Sequence, residues 1–188
     1  MQTRLWVTGY RSFELGAFND KDPKIEVIKR ALKENLIDQL ENNGLEWIIT
    51  GGQMGTEQWT CETAIGLKKD FPQLKIALML PFSNFAANWN QEHQVKLTDL
   101  RTRVDFSEAL SKESYKSPIQ LRNFQAFMLK HTDGALMVYD PDNPGKAEFE
   151  YKAIQAYQLE HPDYSLKTID FDMLTDISNE IEEEKRPW

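Results

Sequence analysis

Residues 51–58 read Gly-Gly-Gln-Met-Gly-Thr-Glu-Gln and follow the short apolar run Trp47-Ile48-Ile49-Thr50. Three glycines within five positions, set between a strand and a helix-compatible segment, can cradle a phosphate. Glycine lets the backbone approach a ligand without a Cβ in the way. Unpaired N–H groups and the positive dipole end at the helix start then favour an anion. Gly51, Gly52 and Gly55 are therefore candidate ligand-binding residues, and Thr56 could donate its hydroxyl to a phosphate oxygen. The spacing is not the GxGxxG dinucleotide fingerprint, and no GK[ST] closes it as in a Walker loop. A tight turn needing positive φ explains the same glycines without a ligand. Glu57 sets up a conflict. A carboxylate in the first helical turn suits the helix dipole, but beside a phosphate cradle it repels the phosphate. With a nucleotide bound, Glu57 should instead face a ribose hydroxyl, a base or a glycosidic bond, and it is a candidate catalytic residue, with Glu148 as the alternative carboxylate.

Other candidates lie where strands should end. Gly9, Tyr10 and Arg11 follow the first apolar run, and the Arg11 guanidinium suits a phosphate or carboxylate. An exposed surface arginine is the alternative. Arg122 and Asn123 put a fork donor beside an amide early in a helix, as ligand contacts or as a salt bridge or cap for a loop. Asp140, Gly145 and Lys146 belong to a turn-rich loop that either approaches the ligand, joined by Glu148 or Glu150, or is a plain surface turn. Pro81 and Phe82 open a further loop at a strand end. Tyr10, Phe82, Trp89 and Tyr139 are the aromatics best placed to stack on a base, although aromatic rings of this kind commonly belong to the core. His93, His131 and His161 share no ligand spacing, so no metal site is expected. Cys61 reads as a buried thiol.

These residues need elements to position them. Apolar runs predict strands over 5–8, 47–50, 76–80 (ended by Pro81), 104–106, 135–139 and 166–171. Apolar residues at helical spacing, beginning with Ile25, Ile28, Leu32 and Leu36, predict a helix from Lys24 towards Gly44. Further helices are expected over 57–69, 83–100, from Ser117 as N-cap towards His131, over 146–160 and over 172–185, with residues 12–23 as a loop. Alternating strands and helices predict an α/β fold: a Rossmann-like three-layer sandwich whose mostly parallel central sheet carries helices on both faces. Ligands of such sheets bind beyond the carboxyl ends of the strands. That is where the loops at 9–12, 51–57, 81–84 and 140–146 belong.

The 188 residues suit one domain, 1–188. Hydrophobic residues make up 40% and charged residues 28%, enough for an unaided core. The net charge of −8 argues against nucleic acid or an anionic membrane as a general partner, but leaves room for a locally positive pocket. One cysteine allows no internal disulfide. No run approaches the roughly 20 apolar residues of a membrane span, and the first eight residues lack a signal-peptide pattern. The expectation is a cytoplasmic protein. The helix from Ser117 is apolar on more than one side, which is compatible with a homo-oligomer.

Four segments together resemble the YpsA family over nearly the whole chain: VTGYRSFELG at the start, IITGGQMGTEQW, ALMLPF with Trp89 downstream, and Leu121-Arg122-Asn123 before HTDGALMVYD. That family is similar to the wider SLOG superfamily, which includes the LOG phosphoribohydrolases and DprA. The resemblance implies a Rossmann-like sheet and a nucleotide or nucleotide-derived ligand at Gly51, Gly52, Gly55 and Glu57. It also implies a regulatory role with protein partners in bacterial cell division. LOG enzymes carry a second motif, PGGxGTxxE. Here the matching loop is Asn143-Pro144-Gly145-Lys146-Ala147-Glu148, which lacks the second glycine and the Gly-Thr pair. Three readings follow: a nucleotide sensor, a nucleotide N-glycosidic hydrolase of LOG type, and an interaction protein without a ligand. No cofactor is implied beyond a phosphorylated small molecule.

Overall fold

The computed structural model describes residues 2–188; residue 1 lies outside them. Six strands form one parallel sheet: β1 (Arg4–Gly9), β2 (Trp47–Thr50), β3 (Lys75–Phe82), β4 (Phe106–Ser111), β5 (Gly134–Val138) and β6 (Ser165–Ile169), ordered β4-β3-β2-β1-β5-β6. β1, β2, β3 and β5 are nearly all buried. That is why they read as continuous apolar runs: inner strands of a parallel sheet are covered on both faces. Edge strand β4 is half-exposed, and its mixed composition shows little of this signal. It runs over 106–111 rather than the expected 104–106. Pro81 does not end β3. β2 stops opposite Leu78, so no β2 neighbour stands beside Pro81 to miss its absent N–H.

The helices are α1 (Pro23–Asn42), α2 (Thr56–Leu67), α3 (Gln91–Arg103), α4 (Ile119–Lys130), α5 (Glu148–Glu160) and α6 (Phe171–Glu184). α1 packs on α2 and α6, and α2 on α3; α4 packs on α5. The two groups cover opposite faces of the sheet, giving three layers. The apolar stripe of α1 buries Ile25, Ile28, Leu32 and Leu36. Asp22 caps it, accepting from the Lys24 amide at 2.9 Å, with Pro23 in the first turn.

Other helix starts depart from expectation for local reasons. α3 begins at Gln91, not 83, because Asn90 caps it and the Gln94 side-chain Nε2 donates back to the carbonyls of Ala86, Ala87 and Trp89. Pro118 rather than Ser117 is the N-cap of α4; buried Gln120 accepts from the Lys116 and Ser117 amides instead. Ser12–Leu15, expected as loop, forms a 3-10 turn.

The chain steps from β1 outward to β4, and α4 then returns it to β5, beside β1. The order therefore reverses between β1 and β5, where such sheets usually open a crevice. Here Tyr10 fills it. The phenol donates to the Asn143 carbonyl at 2.7 Å and accepts from the Asp140 amide at 2.9 Å. Its ring lies against Tyr139 and Phe171.

Candidate functional site

A cleft of about 530 Å³ opens at the carboxyl edge of the sheet, displaced from the switch point towards β2 and β3. The loops after β1, β2 and β3 form its floor, and α4 and α5 its walls. Arg11, Gly52, Gln53, Glu57 and Glu150 supply the polar floor; Phe85, Leu121, Phe124 and Phe149 supply apolar walls, with Arg122 among the lining residues. The volume lies within the range of small-molecule sites, roughly 300–1,000 Å³.

The floor is built from charges that hold one another. The Arg11 guanidinium grips Glu150 with two bonds, Nη2 to Oε1 at 2.7 Å and Nη1 to Oε2 at 3.4 Å; the side chains are only 14% and 10% exposed. Glu57 is buried and accepts from the Gln53 amide at 2.9 Å and the Thr8 hydroxyl at 3.1 Å. Burial pushes the Glu57 carboxyl above its ordinary value, and the Glu150 charge adds to this; Arg11 and the two hydrogen bonds only partly offset it. Burial pulls the Arg11 guanidinium down, but Glu150, then Glu57 and Glu14, push it above its ordinary value.

The glycines of the β2 turn serve this construction. A Cβ on Gly51 would lie 2.5 Å from Glu57 Oε1, and one on Gly52 would lie 2.6 Å from the Leu80 side chain. Gly55, at φ +122°, makes an isolated antiparallel bridge with Arg11, and a Cβ there would meet Ser12 N and Tyr10 O at 2.6 Å. Gly9 is equally enclosed: a Cβ would stand 2.9 Å from Thr56 Oγ1.

The expectation of open amides at this turn is corrected in part. Gln53 N–H goes to the chain's own carboxylate. Thr56 N–H donates to Tyr10 O at 3.1 Å, and Gln58 N–H to Gln53 O at 3.3 Å. The Thr56 hydroxyl, expected to reach a phosphate, also donates to Tyr10 O, at 2.9 Å. The second glycine loop is filled likewise. Glu14 accepts from the Lys146 amide, and a Cβ on Gly145 would collide with its carboxylate.

Of the residues singled out in the sequence, the structure brings Arg11, Gly52, Glu57, Pro81, Arg122 and Glu150 to one cleft. Gly51 lies directly under Glu57. Trp89 and Gly55 line another groove, of about 700 Å³, which shares Arg11 and Gln53 with the cleft. Asn123 lines a smaller groove, of about 360 Å³, together with Pro81. Phe82 packs between Phe85 and Tyr115, and Tyr139 is buried against Tyr10 and Tyr151. Tyr10 and Asp140 tie loops together; Asp140 accepts from the Asp142 and Phe171 amides. Lys146 is exposed, with its ammonium over the Phe13 ring at 5.4 Å.

Sequence reasoning missed Thr8, Glu14, Phe85, Leu121, Phe124 and Phe149 as site-builders. Leu121 and Phe124, three positions apart on α4, look like ordinary core, and the one local signal for Glu14 is its place three residues after Arg11 in the 3-10 turn. Among the described residues, no group of three or more His, Cys, Asp or Glu is placed to hold a metal ion, and no helix is long and apolar enough to cross a membrane.

A parallel sheet in this order, layered by helices and opening a cleft at its carboxyl edge, defines a Rossmann-like α/β protein. The chain belongs to the YpsA family: the family's sequence model, described as "YspA SLOG family", matches residues 5–174. It is similar to proteins named "UPF0398 protein". The relative from Leuconostoc citreum (strain KM20) is 52% identical over 183 residues, covering 97% of this chain and 96% of its own. That from Lactiplantibacillus plantarum (strain ATCC BAA-793 / NCIMB 8826 / WCFS1) is 50% identical with the same coverage of both chains. That from Limosilactobacillus reuteri (strain DSM 20016) is 52% identical over 184 residues, covering 97% and 96%.

Proposed function

We propose that the protein binds a nucleotide or nucleotide-derived ligand in the cleft above Arg11, Gly52 and Glu57, and that it acts as a sensor. The observation that carries this reading is the cleft itself: aromatic walls from Phe85, Phe124 and Phe149 beside a buried polar floor at the strand ends. A flat base suits the walls, and hydroxyls suit the carboxylates. Arg11 is paired with Glu150 and Glu57 is held by two hydrogen bonds, which favours recognition over turnover. The YpsA resemblance extends the role to protein partners in cell division. Full-length protein should be heated with a panel of nucleosides and nucleotides. A true ligand at 100 times its Kd stabilises the fold by about 2.7 kcal/mol, which for a chain of this size raises Tm by about 5–11 °C. If no member of the panel shifts the transition, the reading fails.

A second reading has its own observation. A buried carboxyl held above its ordinary value, as Glu57 is, can act as a proton donor. On that basis the cleft hydrolyses a nucleotide N-glycosidic bond, water adding to the sugar carbon as the base leaves with a proton. Chromatography of incubated nucleotides decides: free base released by the wild type and not by Glu57→Gln supports hydrolysis.

A further inference from the structure

We propose that the ligand enters with its uncharged, hydroxyl-bearing end against Glu57 and its phosphate outward at Arg122; this deepens the nucleotide-binding reading and rests on it. At each of the two glycine loops that could hold a phosphate, one of the chain's own carboxylates already accepts a backbone amide. Glu57 Oε1 accepts from the Gln53 amide at 2.9 Å. Glu14 accepts from the Lys146 amide with one oxygen and from the Arg11 amide, at 2.6 Å, with the other.

Among the described residues, the one guanidinium on the cleft floor is that of Arg11, already engaged in two bonds by Glu150. An inward phosphate therefore meets the carboxylates of Glu57 and Glu150 with no unpaired cation among the floor residues. Two unit charges 4 Å apart at the effective dielectric of a protein surface repel strongly enough to weaken binding about 10³-fold. A sugar hydroxyl meets no such penalty, since it donates to a carboxylate oxygen and gains a charge-assisted hydrogen bond. Arg122 is different from Arg11. It lies in the first turns of α4, exposed, among the residues lining the cleft, and among the described residues it forms no ion pair. It offers the planar fork that matches a phosphate. The cleft therefore has polarity: acidic and buried inside, basic and wet outside.

The test is calorimetric titration of the full chain with four nucleosides, their 5′-monophosphates and inorganic phosphate. The expected pattern is that the best nucleoside binds, its monophosphate binds about 10- to 100-fold tighter, as one charged hydrogen-bonding contact supplies, and inorganic phosphate alone gives no heat. Arg122→Ala should bring the monophosphate-to-nucleoside ratio close to one. Glu57→Gln should weaken both ligands together. Because Arg122 is exposed, its variant keeps the fold, and circular dichroism checks this. The polarity is overturned if Glu57→Gln tightens the monophosphate, or if monophosphate and inorganic phosphate bind while nucleosides do not and Arg122→Ala changes neither. Those results leave the nucleotide-binding reading standing. Absence of binding by every nucleoside and nucleotide overturns both.

Discussion

Replacing Arg11 with alanine removes the guanidinium on which the cleft floor depends. Its partner Glu150 is 10% exposed at the side chain and Glu57 is buried, so neither carboxylate gains much water in return. Breaking a buried pair by deleting one partner costs about 3–5 kcal/mol, because a desolvated charge is left behind. For a chain of this length each kcal/mol moves Tm by about 2–4 °C, so Arg11→Ala should melt about 6–20 °C below the wild type. The deficit should also depend on pH. Burial already holds the Glu57 carboxyl above its unfolded value, and Arg11 is the largest influence opposing this. Without Arg11 the carboxyl rises further. A group whose folded pKa is raised supports the fold at low pH and loses that support as pH climbs through the folded value. The gap between variant and wild type should therefore widen from pH 5 to pH 8. The double variant Arg11→Met/Glu150→Leu should recover most of the loss, since apolar replacement of a buried pair is commonly neutral or better. Urea unfolding of the wild type, Arg11→Ala and the double variant, at both pH values, supplies every quantity. A loss below about 1 kcal/mol that is the same at both pH values would show the floor to be solvated, and the electrostatic argument would fall.

Further predictions concern the parts around that floor. Glu57→Gln should raise Tm above the wild type at pH 8, with the advantage vanishing near about pH 3, below the ordinary glutamate value; scanning calorimetry across pH reads this directly. Gly55→Ala places a Cβ 2.6 Å from Ser12 N and Tyr10 O at a φ of +122°, so it should cost about 3 kcal/mol or more in urea titration. Gly66→Ala, in α2 with nothing within 4 Å, should instead stabilise by about 0.5–1 kcal/mol. Asp133 accepts from the Arg4 amide at 2.9 Å and the Thr3 hydroxyl at 3.0 Å, tying the starts of β1 and β5. Burial acts to raise its carboxyl, but these bonds and Arg4 bring it below its ordinary value. Asp133→Ala should lose about 1–2 kcal/mol at pH 7, and equilibrium unfolding should show that loss closing as pH falls through the lowered value.

The layers of this fold were legible because burial leaves a mark on each strand. Leu5 to Val7, Ile48 and Ile49, and Ile76 to Leu80 lie in inner strands covered on both faces, and α1 wears its buried stripe openly. The extent of β4 was not legible, since an edge strand need not be apolar. The site divides along a similar line. The glycine turn at 51–55 is legible in the sequence, but its packing against Glu57 and Tyr10 is not. A glycine that admits a ligand and a glycine that admits the chain's own Glu57 have the same letter. Whether the N–H groups were free depended on Tyr10 O, 46 positions away from Thr56. The defining contacts of the floor are longer still: Arg11 to Glu150 spans 139 positions and Lys146 to Glu14 spans 132. Nothing local in the chain announces such pairs. Tyr10 shows the reverse error of emphasis: an aromatic beside a glycine at a strand end looked like a stacking platform, yet it plugs the switch point with hydrogen bonds at 2.7 and 2.9 Å.

Diffraction from crystals soaked with a nucleoside monophosphate tests the central claim most directly. The account predicts difference density between α4 and α5, with the base along Phe85 and Phe124, the sugar over Glu57 and the phosphate beside Arg122. Density in the groove of Trp89 and Gly55, or a phosphate seated in the 51–55 turn with Glu57 swung away, would contradict it.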